Sequence, residues 1–72
     1  MMKINDKVEF TCNGSGRGGH YHVTAVVSKI NRKTVDLVEA DRSYRPGTRW
    51  RIPQTHVERV NGERFAGYAK YA

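Results

Sequence analysis

Residues 42–51 concentrate the side chains of this chain that are best suited to bind a negatively charged partner. The segment is Arg42-Ser43-Tyr44-Arg45-Pro46-Gly47-Thr48-Arg49-Trp50-Arg51. It holds four arginines, a tyrosine and the only tryptophan, and it contains no acidic residue. Guanidinium groups bind phosphate oxygens through paired hydrogen bonds, and flat aromatic rings stack on nucleobases. This composition favours a nucleic-acid-binding surface over the alternative of an ordinary solvated face.

The positive charge of the chain is concentrated in its middle third. The formal net charge is +6 and the sequence pI is about 9.9. Residues 29–51 hold seven lysines and arginines against three acids, a net of +4, whereas the segments on either side each carry +1. Concentrated charge produces a directional field. The pattern therefore predicts an acidic partner, with nucleic acid first and an acidic protein second.

The size of the chain favours binding over catalysis. Seventy-two residues form one domain with a small core and little room for a deep substrate cavity. Cys12 is the only cysteine, so no internal disulfide can form, which suits a reducing compartment. No segment is apolar enough to act as a signal peptide or to cross a membrane. We therefore expect a cytoplasmic protein of a bacterium or phage-infected cell, with no membrane partner and no cofactor.

The pattern of apolar and turn-forming residues predicts an all-β domain. Alternating or β-branched runs predict five short strands, at residues 7–11, 20–30, 34–40, 49–52 and 57–60. Residues 13–19 are too rich in glycine for a regular element, residues 31–33 form a tight turn, and residues 53–56 form a 3₁₀ turn.

The C-terminal segment, residues 61–72, fits two different structures. The Asn61-Gly62 pair is typical of a tight hairpin turn. Phe65, Tyr68 and Ala69 instead fall at helical spacing, although Gly67 weakens a helix there by about 1 kcal/mol. We expect a C-terminal tail, either loosely packed or forming a short helix.

With this rhythm of strands and turns, the sequence resembles the SH3-like small β-barrels, including their KOW-like and Tudor-like modules. The resemblance covers roughly residues 4–60 and is carried by Asn5-Asp6-Lys7-Val8-Glu9-Phe10, Val27-Ser28-Lys29-Ile30, Lys33-Thr34-Val35-Asp36-Leu37 and Trp50-Arg51-Ile52-Pro53. It implies a five-stranded barrel over residues 1–60 followed by the tail at 61–72. It also implies oligonucleotide or peptide binding through the loops and one barrel face, without catalysis.

The predicted strands assign roles to the cations of the middle third. Arg49 and Arg51 alternate with Trp50, so the arginines share an exposed face while the tryptophan faces the core. Phosphate contacts are predicted for Lys29, Arg32, Lys33, Arg49 and Arg51, with Arg42, Tyr44 and Arg45 on the adjoining loop. Because few aromatic rings remain exposed, duplex DNA bound with weak sequence preference is the first expectation. Single-stranded nucleic acid or RNA stays open through Tyr44 and Tyr21.

The glycine-rich segment 14–19 provides a secondary candidate. Arg17 within Ser15-Gly16-Arg17-Gly18-Gly19 is similar to the Arg-Gly segments that bind RNA, and glycine-loop N–H groups can cradle phosphate. The alternative is a loop that only connects two strands.

Other chemistries have weaker support in the sequence. Cys12, His20 and His22 are ligand types for zinc, but their spacing matches no zinc-binding pattern, so no metal site is expected. No nucleophile has a positioned base, so no catalytic residue is expected. The remaining acids, among them Asp36 and Glu39, alternate with cations and are expected to be surface partners.

Two other functional classes compete with nucleic-acid binding. The first is a protein-interaction module, a phage- or bacteria-encoded regulator that docks on an acidic protein surface. Phe65, Tyr68 and Tyr71 would then form an apolar contact element. The second is a subunit that only forms oligomers.

Overall fold

Six β-strands and one 3₁₀ turn make up the secondary structure in residues 2–13, 20–43 and 45–69, the ranges that the computed structural model describes. The strands are β1 (Lys7–Asn13), β2 (His20–Ile30), β3 (Thr34–Glu39), β4 (Arg49–Pro53), β5 (Arg59–Val60) and β6 (Glu63–Arg64), and the 3₁₀ turn is Gln54–His56. All five strands expected from the sequence are present, and β2 has the predicted bounds.

All strand pairs are antiparallel, and the order across the sheet is β4-β3-β2-β1-β5-β6. The long strand β2 pairs with β1 along its first part and with β3 along its second part. The β2–β3 register shifts by one residue between Val27 and Lys29, so Ser28 occupies a bulge. Bulges increase the local twist of a strand.

One face of the sheet forms the core. Burial alternates residue by residue along β3, where Val35, Leu37 and Glu39 are buried. The buried hydrophobic residues are Met2, Val8, Phe10, Val23, Ala25, Val27, Val35, Leu37, Ile52 and Val57. Because strand side chains alternate between faces, the residues between these buried positions form the outer face, which carries most of the charge.

The structure is a small all-antiparallel β domain that is compatible with an SH3-like fold, and it differs from the expected five-stranded barrel in two respects. It has six strands rather than five, because Glu63–Arg64 adds the short strand β6. Among the described residues, β4 and β6 are separate edges of the sheet, so hydrogen-bonded strands do not close it into a barrel.

The tail begins as a hairpin. Asn61 and Gly62 have φ values of 52° and 85°, in the left-handed region that tight hairpin turns require. The Asn61 side chain fastens this turn to β1, because its Oδ1 accepts a hydrogen bond of 3.1 Å from the Lys7 N–H. Phe65 then packs against the core, and its N–H donates to the Glu58 carbonyl at 2.8 Å. Residues 61–65 therefore extend the sheet and do not form a helix.

Candidate nucleic-acid interface

Strand β4 presents two arginines on one face and two apolar side chains on the other. Arg49 and Arg51 are exposed, whereas Ile52 is buried and Trp50 is half-buried. The alternation of charged and apolar residues in this strand places the guanidinium groups in solvent, because the apolar face must pack on the core. The predicted separation of the arginines from Trp50 is therefore confirmed.

Trp50 contributes to the fold. Its ring meets the Phe10 ring edge to face, with centroids 5.3 Å apart and an interplanar angle of 77°. Its Nε1–H donates a hydrogen bond of 2.9 Å to Oε1 of Glu39. The expectation that Trp50 packs with the core is confirmed, and its ring is engaged on the inner side of the sheet.

On the outer face, Asp36 of β3 binds Arg51 of β4. Arg51 Nε and Nη2 donate to the two Asp36 carboxylate oxygens at 2.8 and 3.2 Å. Asn31 Nδ2 adds a third hydrogen bond of 3.1 Å to Asp36. The hydrogen bonds with Arg51 hold the pKa of Asp36 below its usual value, and nearby Lys29 acts in the same direction. The same contact raises the pKa of Arg51.

A shallow groove runs along this outer face. Its volume is about 460 Å³, and it is lined by Ser28, Asp36, Leu37, Val38, Arg49, Trp50 and Arg51. Leu37 and Trp50 are a cross-strand pair that belongs to the core side. The polar side chains of the groove therefore come from Arg49, Arg51, Asp36 and Ser28, and the two arginines among them can bind an anionic group.

The predicted cations outside the strands lie on two loops. Arg32 and Lys33 are exposed in the turn between β2 and β3. Gln54 Nε2 supports this turn by donating to the Asn31 carbonyl at 2.7 Å. Arg42 and Arg45 are exposed in the connection between β3 and β4, at the opposite end of β3. The structure thus places Arg32 and Lys33 before β3 and Arg42 and Arg45 after it, whereas Lys29, Arg49 and Arg51 lie on the neighbouring strands.

The connection between β3 and β4 is built around the carboxylate of Glu39. This side chain is only 2% exposed and accepts hydrogen bonds from the Arg45 N–H and from Trp50. Burial alone would raise the pKa of Glu39, but hydrogen bonds from Arg45, Trp50 and Ser43 outweigh burial and hold the pKa below its usual value. The expectation that Glu39 is a surface partner is therefore wrong.

The backbone completes the same connection. Gly47 has a φ of 84°, a conformation that favours glycine, and its N–H donates to the Glu39 carbonyl at 2.9 Å. The Ser43 hydroxyl accepts a hydrogen bond of 3.2 Å from the Thr24 N–H and so fastens the loop to β2. These contacts position the backbone from which Arg42 and Arg45 project.

Two of the predicted site residues, Arg17 and Tyr44, lie outside the residues that the structure describes. The structure separates Cys12 from His22, two of the residues considered for metal binding. Cys12 lies opposite Tyr21 and packs partly on the core, whereas His22 lies on the other face, with Nε2 3.4 Å from Oε1 of Glu9. In the described part of the chain, no three histidine, cysteine or acidic side chains are arranged to hold a metal ion.

Asp36 and Glu39 are two side chains whose contacts in the candidate site were not predicted from the sequence. For Glu39 a signal was present, since it continues the two-residue alternation of Val35 and Leu37 and so belongs to the buried face. For Asp36 the assignment needed the register that sets it opposite Arg51, and a single strand carries no such information.

Comparisons with protein-family models, with curated proteins and with solved structures found no match to this chain. Across residues 2–13, 20–43 and 45–69, no helix combines the length and apolar character needed to cross a bilayer.

The depressed pKa values predict a stability that depends on pH. Asp36 and Glu39 both bind protons more weakly in the folded chain. Their contribution to the free energy of unfolding is therefore fully present above the pKa values that they have in the unfolded chain. It is lost as the pH falls through the lower folded values. We expect the melting temperature, measured between about pH 7 and pH 3, to start to decline near pH 4 to 5 as the pH is lowered. Glu39→Gln should flatten this acid limb, whereas Glu63→Gln, at an exposed site on β6, should leave it unchanged.

Proposed function

We propose that this chain is a small basic nucleic-acid-binding module that holds duplex DNA through phosphate contacts, with weak sequence preference. The observation that carries the proposal is the placement of the predicted cations. Arg49 and Arg51 line one groove on the outer face, and Lys29 lies across the sheet from Asp36. The loops before and after β3 add further exposed cations, and together these form the basic stripe of the proposal: Lys29, Arg32, Lys33, Arg42, Arg45, Arg49 and Arg51. Phosphate contacts of this kind supply affinity and orientation without reading bases.

The dimensions of the stripe support an extended polyanion. Strand β3 contains six residues and separates the two basic loops. At about 3.3 Å per residue it spans roughly 17–20 Å. B-DNA carries one phosphate per roughly 3.4 Å along each strand, so the stripe matches several successive phosphates. Because Trp50 is engaged with Phe10 and Glu39, stacking on it does not contribute, which favours a duplex over single strands.

We also propose that the domain is an SH3-like small barrel of the KOW-like or Tudor-like kind. The strand order β4-β3-β2-β1-β5, the long bulged strand β2 and the 3₁₀ turn before β5 support this assignment. Such barrels bind nucleic acids or peptides through their loops and one face. In this chain the basic stripe lies on one face and the adjoining loops.

Removing one cation of the groove and one cation beside it should weaken DNA binding without unfolding the protein. For Lys29→Ala/Arg49→Ala we expect at least a tenfold lower affinity for duplex DNA near 50 mM salt. The slope of log affinity against log salt should become shallower by about 2, since two phosphate contacts are lost. Fluorescence anisotropy of labelled duplex DNA, single-stranded DNA and RNA measures both quantities and ranks the ligands.

Arg59→Ala/Arg64→Ala is the matched control, because it removes the same charge from the β5–β6 hairpin at the far edge of the sheet. It should change the affinity much less. Equal losses in the two variants would show that net charge, rather than the groove, drives binding. Absence of binding to any of the three nucleic acids near 50 mM salt would contradict the proposal.

One observation favours protein binding as a second candidate function. Strand β4 is an edge of the sheet. The Gln54 N–H donates to the Lys33 carbonyl and the Glu39 N–H donates to the Thr48 carbonyl, and these bonds at the two ends of β4 determine which of its residues hydrogen-bond to β3. Because hydrogen-bonded residues alternate along an antiparallel strand, the backbone N–H and C=O groups of Arg49 and Arg51 point away from β3. An acidic strand of a partner could pair with them at this free edge. This candidate would be favoured if the chain binds an acidic protein and if its affinity for nucleic acid does not fall steeply as the salt concentration rises.

A further inference from the structure

We infer that Asp36 competes with nucleic-acid phosphate for Arg51, and that this competition limits the affinity of the basic groove. The inference rests on the proposed function, because it concerns the same surface. It assigns to an acidic residue in the middle of a basic stripe the role of lowering non-specific binding to polyanions.

The geometry makes Arg51 a shared group. Its Nε and Nη2 bind the carboxylate of Asp36 in a forked contact, but its side chain remains 69% exposed. A guanidinium group has five N–H donors, so three of them remain for another acceptor. The side chain of Asp36 is 21% exposed and lines the groove next to Arg51. A phosphate that approaches Arg51 therefore also approaches the carboxylate.

Two residues, Arg51 and Asn31, hold the Asp36 carboxylate in place. Asn31 Nδ2 donates to the same Asp36 oxygen as Arg51 Nε, at 3.1 Å, and Asn31 is itself tied to Thr34 through a 3.0 Å hydrogen bond. The carboxylate thus cannot move away from the groove without losing these bonds. It stays beside any phosphate bound there and opposes it by charge repulsion.

The pair also changes the number of ions released on binding. A free cation on the protein that neutralises a phosphate releases one condensed counterion, and each such contact adds about 0.9 to the salt slope. Arg51 is already neutralised by Asp36 and so contributes little to that slope. Without the carboxylate, Arg51 joins Arg49 and Lys29 as a full phosphate contact.

The test is the affinity of Asp36→Asn for labelled duplex DNA, measured by anisotropy across a salt series. Asparagine has the size of aspartate and can accept hydrogen bonds from Arg51 and Asn31. We expect binding about fivefold tighter than wild type near 50 mM salt, and a salt slope steeper by about 0.9. The advantage should accordingly shrink about three- to fourfold between roughly 50 and 200 mM salt.

Glu63→Gln is the matched control, because it removes one negative charge from an exposed site on β6. It should leave the slope unchanged. Asp36→Ala, which also lacks the carboxylate, should show the same steeper slope as Asp36→Asn, and circular dichroism confirms that each variant is folded.

The possible failures are distinguishable. If wild type binds no nucleic acid near 50 mM salt, the proposed function falls and this inference with it. If wild type binds but Asp36→Asn is no tighter than Glu63→Gln, the inference alone is overturned. Weaker binding with a shallower slope would overturn it too, since Asp36 would then be orienting Arg51 toward phosphate.

Discussion

Replacing Glu39 by glutamine is expected to lower the free energy of unfolding by about 3 kcal/mol. The carboxylate accepts hydrogen bonds from the Arg45 N–H and the Trp50 indole, and Ser43 also binds it. An amide has only one oxygen, and its NH₂ group points a donor at groups that are themselves donors. At least one buried N–H then loses its acceptor.

This loss is large for a domain of this size. Proteins are stable by about 0.05–0.15 kcal/mol per residue, which gives roughly 4–11 kcal/mol for this chain. Urea denaturation followed by circular dichroism measures the change, with Glu63→Gln as the exposed control. A loss below about 0.5 kcal/mol in Glu39→Gln would mean that the β3–β4 connection does not depend on the carboxylate.

Removal of the Trp50 ring should destabilise the fold by about 4 kcal/mol, through the cavity beside Phe10 and the lost hydrogen bond to Glu39. Trp50→Phe retains an aromatic ring but loses the indole N–H, so it should cost only about 1–2 kcal/mol. Chemical denaturation of both variants separates packing from hydrogen bonding. Because Trp50 and Glu39 share one bond, the effects of Trp50→Phe and Glu39→Gln should not add.

Arg49→Ala is the adjacent control for the tryptophan variants. Its side chain is exposed on the same strand, so its removal should change stability by less than about 0.5 kcal/mol. Similar losses of stability in Arg49→Ala and Trp50→Ala would contradict the division of β4 into a binding face and a packing face.

The strands themselves follow from local pattern. Two-residue alternation and β-branched residues located β2 with its observed bounds, and alternation in β4 separated Arg49 and Arg51 from Trp50. These properties depend on neighbouring residues of one strand, since a half-buried strand needs apolar side chains at every second position. The all-β class and the outward-facing arginines were therefore predictable.

The tail shows where two local signals compete. Helical spacing of Phe65, Tyr68 and Ala69 opposed the Asn61-Gly62 turn signal, and over residues 61–65 the turn prevailed. The reason is a long-range one. The Asn61 side chain binds the Lys7 backbone and Phe65 packs on a core formed by distant strands, and neither contact can be read from the tail alone.

The sequence alone was sufficient for the all-β class, the positions of five of the six strands, the concentration of charge and the core side of Trp50, because each depends on composition or on a two-residue period. The tertiary structure decided the partners of the acids. Asp36 meets Arg51 only through the register of β3 and β4, and Glu39 stays ionised in the core only because donors from a folded connection converge on it. Pairing across strands is a non-local property, so the balance between cation and carboxylate in the groove emerges only when the sheet forms.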